Sequence, residues 1–453
     1  MRKEFILIIP AILLYIIAPD KFDWLFCAVC ASVFLVGAYL IIKPEMKRGN
    51  YFSFNLIFFF SYFFTSFVYP LFVYGTPVDR FNDINVALNW NLLSHTSALA
   101  LLFITFYIIG FTYPHKKIVG KSNYFSHHKV PYILYTVCFC IYLGLALYGF
   151  MKSGRINMTI GKSFIDIYFT ILSICLFVNV NNNRHKYEHT VPNYIKSNLY
   201  LLSSSILVVL SFIVIGDRMP AIKAILTLLS VYYFFWDRIK ARHLLIAGLC
   251  GLLLLFFVRE TRTSSNNLAS GNVSVSTVQE VFELENGTLY IFADLFNINR
   301  ELCLGYEYSQ SHDLYHPERL LLAVLSPVPG LPVFISRTLW GVDASDLATG
   351  AILNKNLIWN YNIEGHLGNH PASDLLMSFG IIGMILIGFF LGRVISYIQA
   401  NMYSGFYMGV CYIVLMGWSL YLARSVTLSL IRPLGYVFLF GYLLYKIPVF
   451  KKK

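Results

Sequence analysis

Runs of uncharged, mostly apolar residues recur along this chain at 5–18, 24–42, 51–74, 90–113, 130–151, 199–215, 244–258, 375–391 and 406–423. Most approach the roughly 20 residues an α-helix needs to cross a hydrocarbon core, so each predicts a membrane-spanning helix. Three weaker stretches read the same way: 163–180 with Asp166, 220–236 with Lys223, and 433–445. They bring the expected helices to about twelve. A different pattern fills 259–373, where no charge-free stretch reaches membrane length. That segment predicts one large loop between two parts of a helical bundle, 1–258 (helices 1–9) and 374–453 (helices 10–12).

The loop has its own texture. Residues 261–277 are rich in Ser, Asn and Gly and predict a mobile strip or lid. Over 277–296, Val278, Val281, Phe282, Leu289, Phe292 and Leu295 fall at helical intervals, giving an amphipathic helix with one face for the bundle or the membrane surface. The apolar run 320–325 is cut by Ser326-Pro327-Val328-Pro329-Gly330 and is too short to span. It predicts a re-entrant or interfacial piece, allowed where protein or water satisfies the broken backbone.

Composition agrees with a membrane environment: 57% of the 453 residues are hydrophobic, 13% are charged, and the mean hydropathy is +0.63. Lys and Arg divide unevenly between alternate short loops, with eighteen on the set that includes both termini and eight on the other. Cytoplasmic loops retain positive charge, so both termini are expected in the cytoplasm and the large loop outside. The formal charge of +12 does not indicate nucleic acid, because the basic residues are spread singly over short loops as topology requires. Within 259–373 the balance is reversed, with twelve acidic residues against six basic ones. No cleavage site of small residues follows the first apolar run, so that run is expected to remain as a helix. Cys27 and Cys30 lie mid-helix and read as small apolar side chains, while Cys303 alone in the loop allows no disulfide there.

Arginines mark the expected outer ends of several helices. Arg218, Arg259, Arg262, Arg424 and Arg432 all border apolar runs on the same side, and Arg319 and Arg337 join them from the loop. Charge near lipid is costly, and a guanidinium fork suits pyrophosphate oxygens. The bland alternative is snorkelling to the interface or pairing with a neighbour such as Asp217. A second constellation is His366-Leu367-Gly368-Asn369-His370-Pro371-Ala372-Ser373-Asp374, where the loop enters the tenth helix. A helix N-terminus favours neutral imidazole, so His370 fits a proton acceptor with Asp374, four residues on, as its orienting carboxylate. Two other readings of this stretch stay open: an N-cap with hydrogen-bonded polar residues, and a metal site from His366 and His370. The metal site lacks the glutamate of a zinc-protease helix. No phosphate-binding loop, dinucleotide fingerprint or Gly-x-Ser-x-Gly elbow occurs, so the energy of any reaction has to come from the substrate.

Three short elements resemble the O-antigen polymerases of the Wzy type, bacterial inner-membrane enzymes that join lipid-linked oligosaccharide repeat units on the periplasmic side. They are Ile215-Gly216-Asp217-Arg218-Met219-Pro220-Ala221, which resembles the family's Gly-x-Arg element at the start of a helix; His370 through Gly380 and Gly383, similar to the segment that leads from the large loop into a Gly-x-x-Gly helix; and Leu422-Ala423-Arg424 at an outer turn. The resemblance implies an all-α, GT-C-like glycosyltransferase that needs no nucleotide sugar, cofactor or metal. Its partners would be undecaprenyl-diphosphate-linked glycans and the bilayer, with a chain-length regulator as a further one. Arg218, Arg259, Arg262, Arg337 and Arg424 would hold the departing diphosphate. His370 would take the acceptor proton with Asp374 orienting it, and Tyr306, Trp340 and Trp359 would line the glycan groove. An O-antigen ligase acting on lipid A core, or a flippase of the lipid-linked unit, are the competing expectations.

Overall fold

The computed structural model describes residues 3–76, 89–114, 129–153, 162–184, 186–215, 218–246, 297–312, 317–361 and 369–446, with 248 and 251. All regular structure among these residues is helical. The main helices are α1 (Ile8–Ile16), α2 (Trp24–Lys47), α3 (Phe54–Phe63), α4 (Leu93–Thr112), α5 (Tyr132–Ser153), α6 (Lys162–Asn183), α7 (Val191–Ile215) and α8 (Arg218–Val231). They are followed by α9 (Asn299–Ser311), α10 (Pro317–Leu325), α11 (Leu331–Trp340), α12 (Thr349–Tyr361), α13 (Pro371–Ala400), α14 (Phe406–Trp418) and α15 (Ile431–Lys446). Wider π-type turns extend α3 over Phe64–Val73, where Pro70 interrupts the ladder, and α8 over Tyr232–Trp236.

Eight of these helical segments are long and apolar enough to cross a membrane: Trp24–Lys47, Phe54–Val73, Trp90–Thr112, Phe164–Asn183, Val191–Phe212, Met219–Trp236, Pro371–Ala400 and Thr427–Leu444. Phe5–Ile16, Tyr132–Leu145 and Phe406–Trp418 are shorter apolar helices on three more of the expected stretches. The chain is therefore of the α-helical, multi-pass membrane type. Most of 244–258, the strip 261–277 and the amphipathic stretch 277–296 lie outside the described residues.

Contacts divide the chain differently from its linear order. One unit takes residues 1–115, 274–396 and 419–429; the other takes 116–273, 397–418 and 430–453. The described part of the expected loop is thus helical and belongs to the first unit, where α9 packs on α4, on the α3 extension and on α12.

In the first unit α4 is the central element. Its backbone meets that of α13 closely: a Cβ on Gly110 would lie 1.9 Å from the Phe389 carbonyl oxygen, and one on Gly392 would lie 2.0 Å from that of Tyr107. Small residues allow such an approach where no water-driven force pulls membrane helices together. Gly380 bends α13, with φ 68° and ψ −175°, a conformation that only glycine adopts without strain. The bend separates a short leading segment, which carries Asp374 and Ser378, from the long apolar part. At Gly305 of α9 an added Cβ would fall 1.8 Å from Ser373 Oγ, so α9 lies directly on that leading segment.

In the second unit α6 is the buried helix, and its one acid is answered within the fold. Asp166 lies 3.5 Å from Lys223 Nζ of α8 and 3.6 Å from Arg432 Nη1 of α15, and the ammonium sits 3.2 Å from the ring centroid of Trp418. These contacts explain why two apolar stretches tolerate a charge each. A narrow cleft lined by Asp166, Thr170, Ser173, Lys223, Thr227 and Trp418 runs beside them.

Candidate functional site

Buried polar side chains of the first unit concentrate where α9, α10 and α12 meet the leading segment of α13. His370 begins α13 as its N-cap: its carbonyl accepts the first helical bond from Asp374 N at 2.9 Å, and Pro371 follows at the first helical position. The ring is fully buried. Its Nδ1 accepts from the peptide N–H of Ala372 at 3.2 Å, and Nε2 lies 3.0 Å from Ser66 Oγ. A peptide N–H only donates, so Nδ1 carries no proton, and in the neutral ring the proton sits on Nε2 and is donated to Ser66. Burial pushes the His370 pKa down to about 3, which keeps the ring neutral.

This geometry corrects the expectation that Asp374 orients His370 as a base. Asp374 Oδ1 accepts from Thr349 Oγ1 at 2.5 Å, and Oδ2 accepts from the peptide N–H of Thr427 at 3.1 Å. Both carboxylate oxygens are engaged away from the imidazole. With Nδ1 capping the helix and Nε2–H on Ser66, His370 has no lone pair left for a substrate proton. Of the readings left open, the capped helix terminus matches these hydrogen bonds.

Arg319 of α10 is the buried guanidinium of the cluster, 8% exposed. Nη1 donates to Thr349 Oγ1 at 3.1 Å and to Ser378 Oγ at 2.7 Å. Thr349 in turn donates to Asp374, so the carboxylate reaches Arg319 through a hydroxyl. Nε and Nη2 have no hydrogen-bond partner among the described residues. Those two nitrogens form the side-on fork, whose parallel N–H bonds match two oxygens of a phosphate or carboxylate.

Glu301 of α9 lies in the same cluster with no exposed surface. Ser373 Oγ donates to its backbone carbonyl at 3.3 Å, and Asn299 Nδ2 donates to the Ser66 carbonyl at 2.9 Å, which fixes α9 on both sides. Neither carboxylate oxygen of Glu301 has a hydrogen-bond partner among the described residues. Burial, aided by the neighbouring charge of Asp374, pushes this carboxyl well above the usual carboxylate range; the peptide N–H of His370 acts weakly the other way, short of hydrogen-bond geometry. Asn369 Oδ1 and the hydroxyls of Ser425, Thr427 and Ser429 are further buried atoms without a hydrogen-bond partner among the described residues. Each such group costs about 1–3 kcal/mol when it is desolvated and left unpaired.

Arg337 stands at the exposed end of α11 and pairs with Asp343. Asp343 raises the Arg337 pKa, and Arg337 holds the Asp343 carboxyl below its usual range. Arg424 is half-buried, 5.6 Å from the Tyr421 ring and three residues before Thr427. Arg218 begins α8 in the second unit, while Arg259 and Arg262 lie outside the described residues. Tyr306 is buried and stacks on His95 at 5.7 Å. Trp340 ends α11 half-exposed, and Trp359 belongs to α12.

Glu301, Thr349 and Ser66 were not singled out in the sequence. A signal existed for the first: Arg300-Glu301 opens directly onto Leu302-Cys303-Leu304, with Gly305 four residues after the acid on the same helix face. Comparison with protein-family models, with curated proteins and with solved structures returns no match.

Proposed function

We propose that this chain is a bacterial inner-membrane glycosyltransferase that polymerises undecaprenyl-diphosphate-linked oligosaccharide repeat units at the periplasmic face. The sequence resemblance carries the family expectation, including the GT-C-like bundle of about twelve spans with both termini in the cytoplasm. The observation that best supports it is the Nε–Nη2 fork of Arg319, buried and without a hydrogen-bond partner among the described residues. A buried bidentate donor of this kind suits a diphosphate oxygen pair, and the mixed donors and acceptors around it suit sugar hydroxyls.

In this reading the growing chain is the donor and the new repeat unit the acceptor. A hydroxyl of the acceptor attacks the anomeric carbon, and undecaprenyl diphosphate leaves with the bonding electron pair. Arg319, with Arg424 on the segment that also binds Asp374, stabilises the charge that develops on the diphosphate. Thr349 and Ser378 hold the guanidinium in place.

Purified protein and labelled lipid-linked repeat units in detergent test the reading directly. Wild-type protein makes a ladder of products, Arg319→Ala makes none, and Arg319→Lys restores a small fraction because an ammonium lacks the fork. A ladder in detergent also excludes a flippase, since no membrane is there to cross. A ligase differs in vivo: its loss leaves bare core, whereas loss of a polymerase leaves one repeat unit on the core. Wild-type elongation by Arg319→Ala at normal protein level refutes the assignment.

A further inference from the structure

We propose that Glu301 is the group that accepts the proton of the attacking hydroxyl, an inference that rests on the glycosyl-transfer reading above. Three candidates for this task occupy the cluster, and the hydrogen bonds eliminate two. His370 has its Nδ1 lone pair on the Ala372 N–H and its Nε2 on Ser66. Asp374 has Oδ1 on Thr349 and Oδ2 on the Thr427 N–H. Glu301 alone keeps both carboxylate oxygens without a hydrogen-bond partner among the described residues, while fully buried.

The side chain is also held where it can act. The close approach at Gly305 and the bond from Ser373 to the Glu301 carbonyl leave α9 little freedom to slide along α13. Arg319 offers its open fork in the same cluster yet does not pair with Glu301. Glu301 and Arg319 are both neighbours of Asp374, whose charge acts on each, and each keeps hydrogen-bonding positions without a partner among the described residues, one as a proton acceptor and the other as an anion holder. A hydroxyl attacking a glycosyl diphosphate supplies one group for each.

The step balances. The acceptor oxygen forms the new bond to the anomeric carbon of the donor as the bond from that carbon to the diphosphate oxygen breaks. The electron pair departs on the diphosphate, facing Arg319. The hydroxyl proton passes to a Glu301 oxygen and returns to water when the lengthened glycan shifts. A positioned base of this kind contributes roughly 10²–10⁴-fold.

The acid side of the pH–rate profile reports the base. Charged and titratable groups on the elements around α9 include Asp374 and His370 of α13, Glu318 and Arg319 of α10, Lys355 of α12, His95 of α4 and Tyr69 of the α3 extension, with Arg300 and Glu307 on α9 itself. Glu301 acts in its ionised form, so the rate rises as pH passes through its raised pKa.

The test uses full-length protein in detergent with labelled lipid-linked repeat units, measuring elongation and lipid binding separately. Glu301→Gln, which keeps the shape, is expected to lose elongation by roughly 10²–10⁴-fold while still binding the lipid-linked unit. His370→Asn, which can still cap Ala372, is expected to elongate. If Glu301→Gln elongates at the wild-type rate, or His370→Asn is the dead variant while Glu301→Gln works, this inference is overturned and the glycosyl-transfer reading stands. If wild-type protein makes no ladder, that reading itself fails. Should Glu301→Gln not accumulate, the wild-type profile decides: a rate flat across the carboxylate and histidine ranges overturns the inference, and an acid limb above the usual carboxylate range supports it.

Discussion

Replacing Asp166 by Asn tests whether the second unit depends on its buried charges. The carboxylate is shared by Lys223 at 3.5 Å and Arg432 at 3.6 Å, with side-chain exposures of 10% for Asp166, 6% for Lys223 and 31% for Arg432. At an effective dielectric of about 20, each attraction is worth about 4–5 kcal/mol before desolvation is counted. Asn removes both attractions and leaves two cations facing one another among apolar helices. Breaking a buried pair from one side typically costs about 3–5 kcal/mol. Arg432 is the most exposed of the three and can turn outward, and Trp418 continues to hold the ammonium, so the lower half of that range is expected. The assay is reversible unfolding in mixed micelles, followed by tryptophan fluorescence. The companion variant, Asp166→Asn with Lys223→Met, removes the stranded charge as well, and is expected to recover most of the loss. A loss under about 1 kcal/mol for the single variant, or a double variant no more stable than the single one, refutes the argument that these charges stabilise one another.

Gly305→Ala places a methyl 1.8 Å from Ser373 Oγ, so it should separate α9 from α13 and reduce both stability and elongation; Ser373→Ala, added to it, should recover part of both in the same two assays. Gly380→Ala forces an L-residue to adopt φ 68° at the bend of α13, at a cost of about 1–3 kcal/mol, visible as a lower unfolding midpoint. Arg337→Ala removes an exposed ion pair with Asp343 and should leave the product ladder unchanged, in contrast to Arg319→Ala; equal loss from the two would give Arg337 the diphosphate role that the resemblance implies.

The sequence made the helices legible and left their partners hidden. Apolar runs of membrane length need only local counting, which is why the eight long spans fall on expected stretches. Asp166 and Lys223 stood out as charges within such runs, yet nothing local announces that they meet each other and Arg432. The spacing of His370 and Asp374 suggested a base and its orienting carboxylate. The fold assigns their hydrogen bonds by tertiary position instead, His370 to Ser66 on the α3 extension and Asp374 to Thr349 and Thr427. A spacing of four residues brings two side chains together only when both lie on the helix, and His370 precedes it as the cap.

The same reasoning decides where chemistry can reside in the first unit. A side chain whose hydrogen-bonding positions are all filled by protein positions its neighbours; one with buried open positions awaits another molecule or water. Asp374, Thr349, Ser378 and His370 are of the first kind, and together they hold α10, α12 and the 419–429 segment against the start of α13. Glu301 and the Nε–Nη2 edge of Arg319 are of the second. Removing a filled group should therefore act first on stability, and on elongation only through displacement of these two. Glu301 has no filled side-chain position to lose, so Glu301→Gln should lose elongation while the unfolding midpoint holds, whereas Arg319→Lys also gives up the Nη1 bonds to Thr349 and Ser378 and should lose elongation by far more than its midpoint falls. A midpoint that falls in step with elongation for both variants would place them among the structural residues.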